Sequence, residues 1–428
     1  MRIVADLHVH SHYSVATSKE MNPENLHRWA QLKGVTVVGT GDCTHPGWLA
    51  ELKEKLDPAE PGLYRLKPEL AASVDASVPR RCRAPVRFLL STEISTIYKK
   101  DGRTRKVHSI LFLPDFAAAG RLQAALARIG NIRSDGRPIL GLDAKVLLSM
   151  SMEVALESVL VPAHAWTPHF SVLGANSGFD SLEECFEDLL PLVPAIETGL
   201  SSDPAMNWRV SGLDRVRLIS NSDAHSPAKL MREATLFHTE LSYGGIMGAI
   251  RGPESDGLAG TLEFFPEEGK YHFDGHRPCG VRLSPEETRR HGGRCPRCNR
   301  KVTKGVMHRV EDLADRPPGS RPPGACPYQS IIPLVEIIAE VMDVGVSSKQ
   351  VAHGYLDLLD RVGNEYHVLV EADLDRIRKA HTEVLAEAIS RMRSGTVSIN
   401  PGYDGEFGTI RVFDSGERHT ISGQLGLF

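Results

Sequence analysis

Arg2-Ile3-Val4-Ala5-Asp6-Leu7-His8-Val9-His10-Ser11-His12 follows Met1. Its first part is an apolar, β-prone run, and its second part alternates histidine with other residues. Successive side chains of a strand point to opposite faces, so His8 and His10 share a face and can grip one cation. A polar edge strand is the bland alternative. The rest of the sequence weighs against it.

Working outward, the first 240 residues alternate β-rich runs with helical stretches. Strands are predicted at Arg2–Val9, Val35–Gly39, Val86–Thr92, Val107–Leu113, Val159–Ala163, Ala195–Glu197 and Arg217–Ser220. Helices are predicted at Pro23–Lys33, Gly120–Ile129, Ala144–Leu156 and Leu182–Leu189. Such alternation implies parallel pairing in an α/β barrel or a doubly wound sheet, with the chemistry at strand ends. Ligand-type residues stand at those ends: Asp42 and His45 after the second run, Glu93 after the third, His108 opening the fourth, His164 after the fifth, Asp223 and His225 after the last. A single residue of this kind is more often structural. The repetition is not explained by packing, because buried ionisable groups are costly without partners.

The 428 residues suggest two or three domains. With 41% hydrophobic and 24% charged residues the composition is that of an ordinary globular protein, and the net charge of -4 advertises no global affinity for nucleic acid. No apolar run precedes the first acid and none reaches membrane-spanning length, so neither a secretory leader nor a transmembrane helix is expected. Seven cysteines fit a reducing cytoplasm, with paired cysteines read as metal ligands. No Walker-type phosphate loop is present.

The stretch from Gly257 to Ala325 is rich in Gly, Pro, Arg and Cys. Cys295-Pro296-Arg297-Cys298 has zinc-knuckle spacing, and His276 with Cys279 completes a four-ligand structural site. His272, His291, His308 and Cys326 compete for the non-knuckle place. From Lys270 to Arg321 there are 13 Lys or Arg against 6 Asp or Glu. Arg289, Arg290, Arg294 and Arg297 form a plausible phosphate-tracking face. A second basic run, with Lys99, Lys100, Arg103 and Arg105, reads as a hairpin beside His108. The Pro-rich run Arg316–Gly324 is a stiff linker or loop. Apolar spacings of three and four predict helices at Pro333–Val341, Ser348–Leu359 and Ala372–Met392. The expected organisation is a barrel over 1–256, a basic zinc-binding unit over 257–326, a helical unit over 327–400 and a tail over 401–428.

The strand-end set resembles the PHP phosphoesterase superfamily, whose members are distorted (β/α)7 barrels with two or three metal ions. The resemblance implies a first metal on His8, His10, Glu93 and Asp223. Glu93 would bridge to a second on His108 and His164, and a third would use His225, Asp42 and His45. In the commoner form of the second motif Asp and His are adjacent; here Cys43 and Thr44 intervene, which puts the third site in question and leaves His12 as a spare candidate. Such a pair supplies hydroxide at neutral pH and neutralises phosphate charge, so no separate nucleophile is needed. Zinc, manganese and iron all suit these donors. Lys19 could contact a phosphate or be a solvated surface lysine.

Barrel, basic zinc unit and helical region in this order resemble the endonuclease Q family of DNA-repair nucleases. The matching stretches are Asp6–Met21, Val38–Trp48, Cys279–Glu286, Cys295–Ala314 and Ile332–Glu340. The resemblance implies a damaged-DNA partner and hydrolysis 5′ to uracil, hypoxanthine, xanthine or an abasic site. Trp166, His169, Phe170 and Phe179, near His164, are candidates to line a pocket for an extruded base, against the alternative that they pack the barrel rim. Gln424-Leu425-Gly426-Leu427-Phe428 resembles the peptide by which bacterial proteins dock on the sliding clamp, through Gln424, Leu425, Leu427 and Phe428. A cytoplasmic, nucleoid-associated location is expected. The rival readings are a small-molecule phosphatase on the same barrel and a non-catalytic DNA- or clamp-binding accessory.

Overall fold

The structure, a computed structural model, describes residues 1–252, 257–414 and 417. The terminal Gln424–Phe428 peptide lies outside the described residues. Seven of the described strands close a ring: Arg2–Asp6, Val37–Gly39, Arg87–Lys100, Arg103–Leu113, Val159–Pro162, Ala195–Glu197 and Arg217–Ile219. The first three pair in parallel. The amide of Ala165 donates to Glu197 O at 2.9 Å, linking the fifth to the sixth, which pairs in parallel with the seventh. A parallel bridge between Val9 and Ala224 brings the seventh back to the first.

This is the distorted (β/α)7 barrel, and its distortion is local. Arg103–Leu113 runs antiparallel to both neighbours. It follows Arg87–Lys100 directly through the turn Asp101-Gly102, where both φ angles are positive, 51° and 71°. That is the backbone of the tightest hairpin turns, and Asp-Gly is among the pairs that adopt it most readily. The basic run therefore forms the expected hairpin, in place of a crossover helix.

Strand residues alternate between two apolar layers, as a period of two requires. Ile3, Ala5, Val37, Leu89, Ile110, Val161, Ala195 and Ile219 fill the ring. Val4, Val38, Phe88, Leu90, Leu111 and Leu160 face the outer helices. Pro23–Lys33 begins at Asn22, whose side chain accepts from Asn25 N, and stops at Gly34 with φ 85°. The run expected at Ala372–Met392 is broken into Leu374–Ala380 and Glu383–Ser394, because Thr382 caps a new helix.

Beyond the ring the main sheet continues. Ala234–His238 pairs with Arg2–Asp6, Leu258–Glu263 pairs with Ala234–His238, and Tyr328–Ser330 pairs with Leu258–Glu263. The expected boundaries at 257 and 327 therefore need correcting. Both flanking strands belong to the barrel sheet, and the cysteine-rich unit is an insertion that leaves at Phe264 and returns at Pro327. It carries the hairpin Asp274–His276 with Val281–Leu283, and the helices Pro285–Arg290 and Val306–Leu313. The expected tail also starts early and is partly structured: Ser398–Asn400 pairs with Thr409–Arg411, and Gly402 N donates to Glu267 O.

Two contacts fix the outer units on the barrel. Arg309 donates to Leu173 O at 2.9 Å, Phe179 O at 2.8 Å and Asp180 at 2.7 Å, holding the insertion against the loop that follows His164. Buried Lys33 meets buried Glu365 at 2.7 Å, which also accepts from Tyr355 Oη, tying the C-terminal helices to the first barrel helix. Among the described residues no helix is long and apolar enough to cross a membrane.

Candidate metal centre

The reversed strand builds the centre. In the parallel strands the polar residues sit at the C-terminal ends, so an antiparallel strand must offer its first half there. Ser95 pairs with His108, and Glu93 lies two residues from Ser95. Residues two apart share a face. Glu93 thus meets His108 across the hairpin, Oε1 to Nδ1 at 2.6 Å. His164 Nε2 reaches the same Glu93 oxygen at 3.0 Å and His108 Nδ1 at 3.2 Å.

The other carboxylate oxygen faces a second group. Glu93 Oε2 lies 3.3 Å from His10 Nε2 and 3.6 Å from His8 Nε2. Asp223 Oδ1 lies 3.0 Å and 3.7 Å from the same two nitrogens. Ligands around a tetrahedral ion with ~2.0 Å bonds stand roughly 3.3 Å apart. His8 Nε2, His10 Nε2 and Asp223 Oδ1 are buried, and their approaches to one another lack hydrogen-bond geometry. Orphaned buried ligand atoms at this spacing fit a divalent cation in the first group; in the second, Glu93, His108 and His164 converge as a ligand set of the same type, with Glu93 facing both. Backbone strain accompanies the arrangement: Asp223 and His164 have φ of 47° and 29°, a region costly for residues other than glycine.

The charges agree. Burial opposes protonation of His8, yet Glu197, Glu93 and Asp223 hold it well above its ordinary value. His10 is held up against burial by Asp42, Asp223 and Glu93. Burial would raise Glu93, but His108, His8 and His10 hold it well below the usual carboxylate range. The acids create a demand for positive charge that cations held by these ligands would meet.

The third predicted set is not brought together. Asp42 accepts from Ser11 N at 2.7 Å and Ser14 Oγ at 2.8 Å and contacts His10 Nδ1 at 3.2 Å. It braces a ligand. His45 caps the helix Pro46–Lys55 and contacts Arg133 O through Nε2 at 3.1 Å. His225 lies tilted beside His10, ring centroids 4.4 Å apart, with Nδ1 on Asp223 O. His12 meets Glu51 at 3.3 Å, and Lys19 is exposed in the turn after the first motif.

Two residues of the centre escaped the sequence reading. Buried Glu197 holds His8 Nδ1 at 3.0 Å, accepts from His164 N at 2.8 Å and from Asn221 Nδ2 at 2.9 Å. It orients both halves of the centre, as the carboxylate partner of a ligating histidine does. Its place at a strand end was the available signal. Arg137 Nη1 stands 3.1 Å from Glu93 Oε2 with its side chain 28% exposed. It comes from an irregular loop with no periodic signal.

In the insertion, His276, Cys279, Cys295 and Cys298 converge, with Cys298 Sγ 3.6 Å from His276 Nδ1. That spacing fits a tetrahedral zinc with S and N ligands. The rivals are elsewhere: His308 Nδ1 is 2.5 Å from buried Asp274, and His272 is itself buried.

The overall fold has counterparts of known structure. The lesion-specific endonuclease PfuEndoQ from Pyrococcus furiosus is 31% identical, with a TM-score of 0.83 over 96% of this chain and 95% of that one. The chain belongs to the endonuclease Q family. A second Endonuclease Q structure, complexed with a 27-mer duplex substrate with an abasic lesion at the active site, is 31% identical, with a TM-score of 0.81 over 97% of each chain. The family model of the MJ0043 C-terminal domain matches residues 333–396. The MJ0043 protein of Methanocaldococcus jannaschii is 34% identical over 242 residues, which are 54% of this chain and 30% of that protein's length.

The surfaces of this endonuclease Q family member sort its other predicted residues. Trp166 and Phe179 are fully buried, Trp166 donating to Asn207 and Phe179 lying under the Arg105 guanidinium, so neither lines an open pocket. His169 is exposed, and half-buried Phe170 packs 4.8 Å from His108. Arg105 faces inward like Val107, two residues on, and donates to Gly178 O; Lys100 is paired with Glu187. These two are unavailable to phosphate as placed. Lys99, Arg103, Arg289, Arg290, Arg294 and Arg297 are exposed. A cavity of about 430 Å³ opens between barrel and insertion, lined by Thr167, Leu200, Ser201, Arg232, Tyr271 and Phe407 among others. Its wall is one contact from the centre: Thr167 Oγ1 meets His164 Nδ1 at 3.1 Å, and Arg232 donates to Asp223 O at 3.3 Å.

Proposed function

We propose that this chain is a metal-dependent DNA-repair endonuclease that hydrolyses the phosphodiester 5′ to a deaminated base or an abasic site. The observation that carries the reading is Glu93, whose two oxygens face two separate ligand groups in a member of the endonuclease Q family. His8, His10, Asp223 and Glu93 would hold one cation, and Glu93, His108 and His164 the other. Such ions supply an activated water at neutral pH and offset charge on the phosphate. The protein's own task is positional. Glu197 fixes the His8 ring and the backbone of His164, and Asp42 fixes His10.

The damaged duplex partner is supported by the Endonuclease Q complex with an abasic lesion. The exposed arginines of the zinc-binding insertion would track the backbone. The cavity at Thr167 and Tyr271 is where an extruded deaminated base would lodge, since it adjoins the centre while Trp166 and Phe179 do not. The terminal Gln424–Phe428 peptide would tether the enzyme to a sliding clamp; a synthetic peptide of this sequence that fails to bind the clamp removes that part of the reading.

The test is incubation of end-labelled duplexes carrying one uracil, hypoxanthine, xanthine or abasic site, or no lesion, with manganese or zinc. A single nick 5′ to the lesion, absent from undamaged DNA and with Asp223→Ala, is expected. Intact DNA throughout, with phosphate released from small monoesters, would replace the reading with a phosphatase.

A further inference from the structure

The residues that do not form a third metal site form something else. The loop Asn131–Pro138 is tied to the rest of the molecule at four points and braced internally by a fifth hydrogen bond, from Arg137 N to Asp135. His45 Nε2 contacts Arg133 O at 3.1 Å, and Gly136 N donates to Tyr13 O at 3.0 Å. Asp135 accepts from Val15 N at 3.2 Å and Arg137 N at 3.1 Å, and Ser95 N donates to Pro138 O at 3.0 Å. Gly136 lies so close to the Asp42 carboxylate and Ser14 hydroxyl that a Cβ there would overlap both. Asp42 and His45 thus seat a loop, and that loop delivers Arg137.

We propose that Arg137 is a phosphate-binding residue of the reaction, supplying a fixed cation beside the metal ligands where the expected third metal set is not formed. The proposal rests on the phosphodiesterase reading above and deepens it. Among the described residues the guanidinium has one hydrogen-bond partner, Glu93 Oε2, and its side chain is 28% exposed. A guanidinium carries five N–H donors in a rigid fork and keeps its charge throughout the working pH range. One donor is engaged by Glu93, so the outward edge remains for the non-bridging oxygens of a phosphodiester. A purely structural counter-ion for Glu93 would need no exposed edge and no loop clamped this tightly.

The test uses the full chain, wild type and Arg137→Ala, Arg137→Lys, with cations loaded and counted by elemental analysis. Inorganic phosphate is titrated in by calorimetry, and lesion-duplex cleavage is measured in single turnover. The alanine variant is expected to bind phosphate at least about tenfold more weakly and to cleave on the order of 100-fold more slowly, as for loss of one preorganised donor. Its metal content and duplex affinity should hold. The lysine variant should recover part of the rate, because it keeps the charge and loses the fork. Unchanged phosphate affinity at full metal content, or a loss of metal that explains the whole defect, overturns the proposal, as does a wild type that binds no phosphate. Weakened phosphate binding in the alanine variant, with a wild type that cuts no lesion duplex, would sink the repair reading and leave Arg137 in its role.

Discussion

The barrel centre and the cysteine knuckle are both sets of metal-type ligands, built in opposite ways. The barrel ligands run from His8 to Asp223 and meet only after the ring has closed over an apolar interior of Ile3, Leu89, Ile110 and Val161. The knuckle ligands fall within His276–Cys298, and the apolar cluster around them is Val281, Leu283, Cys295 and Val302, with Cys279 against it. So small a core cannot offset the entropy of ordering its own loops. The barrel builds its site, whereas the knuckle would need a bound cation in order to be built.

The sharpest attack on that contrast is Glu93→Gln. Loss of the shared charge is expected to reduce cleavage by on the order of 10³-fold, from about 4 kcal/mol of lost transition-state stabilisation. The melting temperature should barely move, because the ring packs without ions. A collapse of the fold would show that the barrel, too, depends on its centre.

Glu197→Gln comes next. It keeps the shape but weakens the partner that orients His8 and His164, and about 10- to 100-fold in metal affinity or rate should be lost. Metal titration separates this from a direct ligand, which would cost more. Cys298→Ser probes the other side. One zinc per chain should disappear, the insertion should become protease-sensitive, and duplex binding should weaken roughly tenfold with a shallower salt dependence as backbone contacts go. Barrel metal content should be unchanged.

A further prediction concerns the bed beneath the barrel centre. Burial pushes the Glu263 carboxyl up to about 8, although Ser220 and Thr198 donate to it. With the folded value above the unfolded one, the native state holds the extra proton between them. Stability contributed by this group therefore falls as pH rises from about 4.5 toward 8 and levels off above. Glu263→Gln should flatten that slope in denaturant titrations across the same range. An unchanged slope would mean Glu263 titrates normally.

These contrasts also mark what could be read from the sequence. The alternation His8-Val9-His10 needs only strand geometry, and the knuckle needs only local spacing, so both were legible. The meeting of Glu93 with His108 depends on an antiparallel hairpin inside a mostly parallel ring, which alternation of strands and helices does not foretell. Glu197 stood at a strand end without a neighbouring histidine to draw notice. Trp166 and Phe179 look like pocket residues because loop aromatics and core aromatics read alike; burial separates them. Asp42 and His45 have the right chemistry for ligands, but Asp42 lies against His10 and the two intervening residues place His45 as a helix cap. Domain limits at 257 and 327 followed composition, whereas the sheet recruits strands from both sides of the basic insertion.

The claim on which all this turns is that Glu93 joins two cation sites. Anomalous scattering at the metal edges, from crystals grown with zinc or manganese, tests it most directly. We expect two peaks flanking Glu93, about 3.5–4 Å apart, and a third among His276, Cys279, Cys295 and Cys298. A single peak at Glu93, or none with the knuckle occupied, would contradict the account.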